Sequence, residues 1–154
     1  MRQNEKWRTM ADDMNRSLYS EQMVCAMSTQ LLHIPETRGL KGNAEMHTSL
    51  VPASYHRVTA TGSAQRLLNG ESAPSIVQTF IACIQNAEVR DRNVRAGLQV
   101  MLEDASESYK PFIQNIIRWQ DYAEMYLRNA KQSAMQITGA AAWQGQPQNG
   151  EVQG

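Results

Sequence analysis

The stretch YKPFIQNIIRWQDYAEMYLRNAKQSAMQI, residues 109–137, decides the fold. At 100° per residue, Tyr109, Phe112, Ile113, Ile116, Trp119, Ala123, Tyr126, Leu127, Ala130, Ala134 and Ile137 fall within an arc of roughly 140°. Lys110, Gln114, Arg118, Asp121, Glu124, Arg128 and Gln132 occupy the other side. The pattern predicts a long amphipathic helix whose apolar face is wide enough to touch two neighbours, and therefore a helical bundle. Ser106 or Ser108 is the expected cap, with Pro111 in the first turns where its missing amide hydrogen matters least.

Working back along the chain, a first helix is expected from about Asn4 to His33. Trp7, Met10, Ala11, Met14, Leu18, Cys25 and Leu32 share one face, and Pro35 ends it. Residues 35–52 contain Gly39, Gly42 and Asn43 with no sustained period, and read as a long irregular loop. Residues 53–70 read as a helix entered at Pro52, although Val58-Thr59-Ala60-Thr61-Gly62 has low helix propensity. Ser72 and Pro74 then open a helical pattern through Ile76, Phe80, Ile81 and Ile84. Glu88, Asp91 and Arg95 interrupt the stripe, which resumes at Val94, Leu98 and Met101; one drifting helix or two helices meeting near 88–92 both satisfy it. Residues 139–154 are rich in Gly and Gln and read as a flexible tail, and removing residues 140–154 is expected to leave melting almost unchanged. The fold class is thus all-α: a bundle of four to five helices in one domain over residues 1–138, with a long loop after the first helix and a flexible C-terminal tail.

Lys plus Arg number 15 and Asp plus Glu number 15 among 154 residues, and the balance holds in each half of the chain. A chain that binds phosphate backbones indiscriminately shows a basic excess. Zero net charge also removes long-range self-repulsion and permits self-association. The N-terminus lacks the apolar core of a secretory signal, and the most apolar window, residues 73–84, falls short of the ~20 residues that span a bilayer. The expected location is cytoplasmic, with Cys25 and Cys83 as buried free thiols.

No chemical motif stands out. His33, His47 and His56 lie in or beside the loop region, no Glu-x-x-His occurs, and neither a nucleophile elbow nor a glycine-rich phosphate loop is present. No catalytic residue, metal ligand or cofactor is assigned, and the protein is not expected to be an enzyme. Glu21, the Glu88/Asp91/Arg95 set and Gln120 interrupt apolar faces; packed together they would form one buried polar layer that fixes register, with Asp91 and Arg95 paired at i, i+4. Helix margins that reach water explain the same residues, and a helical enzyme using Glu21, Glu88 and Asp91 is the least favoured reading.

Trp119, Tyr122 and Tyr126 edge the last helix at i, i+3, i+7. Tyr and Trp are enriched at protein interfaces, so these three, with Trp143 as a docking anchor in the tail, are the candidate contact residues. The expected function is a non-enzymatic structural or adaptor protein whose partners are itself, as a homo-oligomer, or other protein subunits of an assembly. The alternative is a DNA-binding or DNA-packaging accessory using Arg90, Arg92 and Arg95, in outline a helix-turn-helix if the chain breaks at 88–92.

Overall fold

The computed structural model describes residues 2–144. Four long helices account for almost all of them: α1 (Arg2–Leu32), α2 (Asn43–Leu68), α3 (Pro74–Asp104) and α4 (Lys110–Thr138), followed by a 3₁₀ turn, Ala140–Trp143. Each helix packs antiparallel on its chain neighbours, and α4 closes the ring against α1. The protein is an all-α four-helix bundle, and no described helix is long and apolar enough to cross a membrane.

The apolar stripe of α4 faces the core as its periodicity requires. Ile113, Ile116, Ala123, Leu127, Ala130 and Ala134 are buried, and Lys110, Arg118 and Asp121 lie outside or at the margin. Neither Ser106 nor Ser108 caps the helix. Tyr109 holds the cap position without a side-chain capping bond, its hydroxyl donating instead to Glu36 Oε2 at 3.0 Å, and the two serine hydroxyls contact each other at 3.2 Å. At the start of α3, Pro74 takes the first helical position as expected, with Ala73 rather than Ser72 at the cap.

The largest departure from the sequence reading is α2. It begins at Asn43, nine residues before Pro52, so the irregular segment shrinks from 35–52 to residues 33–42. The buried face of α2 carries Asn43, Met46, Leu50, Ala53, Arg57, Ala60, Ala64 and Leu67 at helical spacing. Five of these are alanine, asparagine or arginine before Leu67 is reached, so a search for apolar period passes over them. Pro52 sits inside the helix and leaves the carbonyl of exposed Thr48 without its helical donor, a loss water can make good. Thr37 secures the preceding turn by donating its hydroxyl to the Leu31 carbonyl at 2.7 Å, satisfying an end group of α1.

Small residues let α2 approach α3 closely. A Cβ on Gly97 would lie 2.6 Å from Met46 Cβ, and one on Gly42, whose φ is 90°, would lie 2.6 Å from the Gly97 carbonyl oxygen. α3 itself is continuous through residues 88–92, so the two-helix alternative and its helix-turn-helix outline do not form.

The core divides into two apolar clusters. One gathers Trp7, Met10, Met14, Phe80, Ile84 and Leu127. The other gathers Val24, Leu31, Leu50, Leu98, Met101 and Ile116. Between them lies a layer of charged and polar side chains.

Candidate functional site

The polar layer is built around a residue the sequence did not single out, Arg57 of α2, which is completely buried. Its Nη1 donates to Glu21 Oε2 on α1 at 2.5 Å and to Asp91 Oδ1 on α3 at 2.8 Å, and Nη2 donates to Asp91 Oδ2 at 2.6 Å. Nε donates to Ser17 Oγ at 2.8 Å, and that hydroxyl donates in turn to the Ala123 carbonyl of α4 at 2.6 Å. One guanidinium therefore ties all four helices together. The fork geometry suits arginine, whose planar donors match a carboxylate in bidentate fashion.

With both carboxylates ionised, two against one guanidinium would give the layer an excess negative charge. Burial pushes the Glu21 carboxyl up to about 7, with the charge of Asp91 adding to the shift and Arg57 opposing it. Burial alone would weaken the Arg57 charge, but Asp91 and Glu21 more than restore it and hold its pKa above the usual value. Gln120 is also fully buried and donates Nε2 to Glu124 Oε2 at 2.9 Å. Among the described residues, Gln120 Oε1 has no hydrogen-bond partner, and Glu21 Oε1 has none at full hydrogen-bond geometry, although the nearby Ser54 hydroxyl favours the charged form of Glu21.

The other polar interruptions go elsewhere. Asp91 does not pair with Arg95. Asp91 points inward to Arg57, while Arg95 reaches across to Asp121 at 2.5 Å and Glu124 at 3.1 Å on α4. Glu88 pairs with Lys131 at 3.1 Å. Of the arginine cluster, Arg95 is thus committed to two carboxylates and Arg92 is exposed; Arg90 is half-buried beside His56, whose pKa is lowered by burial and then by the Arg90 charge.

The aromatic edge of α4 forms one wall of a cleft of about 420 Å³, lined by Asn15, Arg16, Tyr19, Ser20, Trp119, Tyr122 and Tyr126. The other wall is α1. Trp119 stands edge-on between Tyr19 and Tyr122, with ring centroids 5.9 and 5.8 Å away, and Arg16 lies 6.0 Å over the Tyr126 ring. Trp119 packs its base against the second core cluster. Tyr19 and Tyr122 are 57% and 41% exposed. Trp119, Tyr122 and Tyr126 are therefore brought together as their spacing implied, and Tyr19 and Arg16 join them from a helix about a hundred residues earlier.

Trp143 is placed differently from the docking anchor expected in a tail. It is buried, meets Phe80 edge-on at 6.4 Å, donates Nε1 to Thr138 Oγ1 at 3.1 Å and accepts from Gln85 Nε2 at 3.0 Å on its carbonyl. It closes the end of its own bundle. The remainder of the expected tail, residues 145–154, lies outside the described residues.

His47 Nε2 sits 3.2 Å from Ser28 Oγ, but Ser28 is fully buried and bonds the Cys25 carbonyl, so the pair holds α1 to α2 rather than facing solvent. His33 is exposed. Among the described residues, no group of three or more His, Cys, Asp or Glu is placed to hold a metal ion. Cys83 is buried as anticipated, with its thiol pKa raised by burial, whereas Cys25 is exposed because its position on α1 turns away from the core. No family model, curated protein or solved structure matches the chain.

Proposed function

We propose that this chain is a non-enzymatic helical building block that associates with copies of itself or with other protein subunits in a larger assembly. The observation that carries the reading is the open cleft of Tyr19, Trp119, Tyr122 and Tyr126 between α1 and α4. Stiff aromatic side chains offer large contact area with little entropy to lose, and their polar tips tolerate water until a partner arrives. Tyr19 and Tyr122 stay substantially exposed above a core that is itself buried. The Arg16 guanidinium at the rim suits an occupant that offers an apolar side chain beside a carboxylate, as a segment of another subunit would.

The test replaces Tyr122 with Lys and Tyr126 with Glu in the full chain. Helix content should persist, because neither residue belongs to the buried core. A subunit that co-purifies with the wild-type chain and rebinds it in purified form should lose that binding in the double variant. Unchanged rebinding, together with unchanged mass in solution, would contradict the reading.

A further inference from the structure

The outer face of α2 carries a seam the cleft does not use. Thr48, Val51, Tyr55, Val58, Gly62 and Gln65 are spaced alternately by three and four residues, all are exposed, and none is charged. Val51, Tyr55 and Val58 are 69%, 67% and 52% exposed. That spacing is the seam of a coiled coil, here turned away from the bundle interior, which uses Leu50, Ala53, Arg57, Ala60 and Ala64 on the opposite side of the helix. The seam runs 18 residues, about 27 Å at the helical rise.

Gly62 is the telling residue. A glycine inside a helix is roughly 0.5–1 kcal/mol worse than alanine. A Cβ built there meets nothing within 4 Å, so no neighbour among the described residues requires its absence. A glycine on an exposed helical seam leaves a notch that a second helix can fill.

Resting on the reading of this chain as a self-associating building block, we infer that α2 pairs with α2 of a second copy, antiparallel about a two-fold axis. The register that sets Tyr55 against Val58 of the second copy also sets Val51 against the notch of Gly62, and Thr48 against Gln65. Charge selects this direction. Glu45 and Arg66 are the charged residues flanking the seam on its Tyr55 side, and the antiparallel register places each opposite the other across the axis. A parallel pairing sets neither against an opposite charge. Arg66 is engaged with Glu71 at 2.8 Å on the open surface, where an ion pair is worth little and a second carboxylate is readily accommodated.

The experiment measures the mass of the full chain by sedimentation over a range of concentrations. A dimer of the 17.3 kDa chain is expected. Gly62→Leu, which has open space in the monomer but fills the notch, should weaken dimerisation by roughly tenfold or more while helix content is unchanged. Glu45→Arg should also weaken it, and adding Arg66→Glu should restore it. A monomeric wild type at every concentration, or a dimer indifferent to Gly62→Leu and to the charge reversal, overturns the proposal. If the dimer instead dissociates only in the Tyr122→Lys/Tyr126→Glu variant, α2 is not the contact and the interaction reading survives through the cleft.

Discussion

Replacing Arg57 with Met removes the side chain that joins all four helices and leaves Glu21 and Asp91 facing each other as buried, unpaired carboxylates. Breaking a buried pair by removing one partner costs about 3–5 kcal/mol, mostly as the desolvation of the charge left behind. A domain has only about 5–15 kcal/mol in total, so the variant should melt roughly 6–20 °C lower. The loss should depend on pH. Without Arg57 the charge that opposes the upward shift of Glu21 is gone, so its folded pKa lies further above the unfolded value and the folded state gains by binding protons. That stability is present below the unfolded pKa and is lost as pH rises through the folded pKa. The deficit of Arg57→Met against wild type should therefore be larger at about pH 8 than at about pH 5. Urea unfolding followed by far-ultraviolet circular dichroism at the two pH values reads both quantities. A companion triple variant, Glu21→Leu with Arg57→Met and Asp91→Leu, should recover wild-type stability or exceed it, because well-packed apolar groups replace buried ion clusters at little or no loss. A loss under about 1 kcal/mol for Arg57→Met, or one identical at both pH values, would refute the assignment of this layer as a buried ion cluster.

Four further outcomes are expected. Glu21, with its carboxyl raised from 4.5 to about 7, contributes stability that is lost as pH climbs through that interval; Glu21→Gln should flatten the fall in urea midpoint between those values. Ile116→Ala and Leu127→Ala, one in each apolar cluster, should each destabilise by roughly 2–5 kcal/mol in the same assay. Trp143→Ala should lower stability by about 3 kcal/mol, the low end for an aromatic truncation, since the residue seals the bundle from a terminal turn; an unchanged melting temperature would return it to the role of a passive tail residue. Gly97→Val should cost about 1–3 kcal/mol by forcing α3 away from Met46, visible as a lowered melting temperature with helix content retained.

The parts of this fold legible in the sequence are those where apolar side chains carry the period. Residues 109–137 show eleven apolar positions on one arc, and α1 shows Trp7, Met10 and Met14, so both helices follow directly from the residues, although Cys25 and Leu32, expected on the same face of α1, are exposed. α2 resists the same reading because its buried face holds alanines for close approach, an asparagine that donates to the Ser28 carbonyl, and the central arginine. Glu21, Asp91 and Gln120 betray a polar layer by interrupting apolar faces. Arg57 gives no such signal, since an arginine in a weak pattern reads as surface. The cleft was half visible: the i, i+3, i+7 aromatics lie on one helix, whereas Tyr19 and Arg16 reach it only through the packing of α1 on α4. Trp143 in a Gly- and Gln-rich stretch carries no local sign that Phe80 and Thr138 will receive it.

The measurement that tests the account most directly is the sedimentation mass of the full chain beside its two surface variants, Gly62→Leu and Tyr122→Lys/Tyr126→Glu. A wild-type assembly larger than the 17.3 kDa chain is expected, with a fall in mass in Gly62→Leu without loss of helix content. A wild type that sediments as a single chain at every concentration, with no subunit whose binding depends on the cleft, would contradict it.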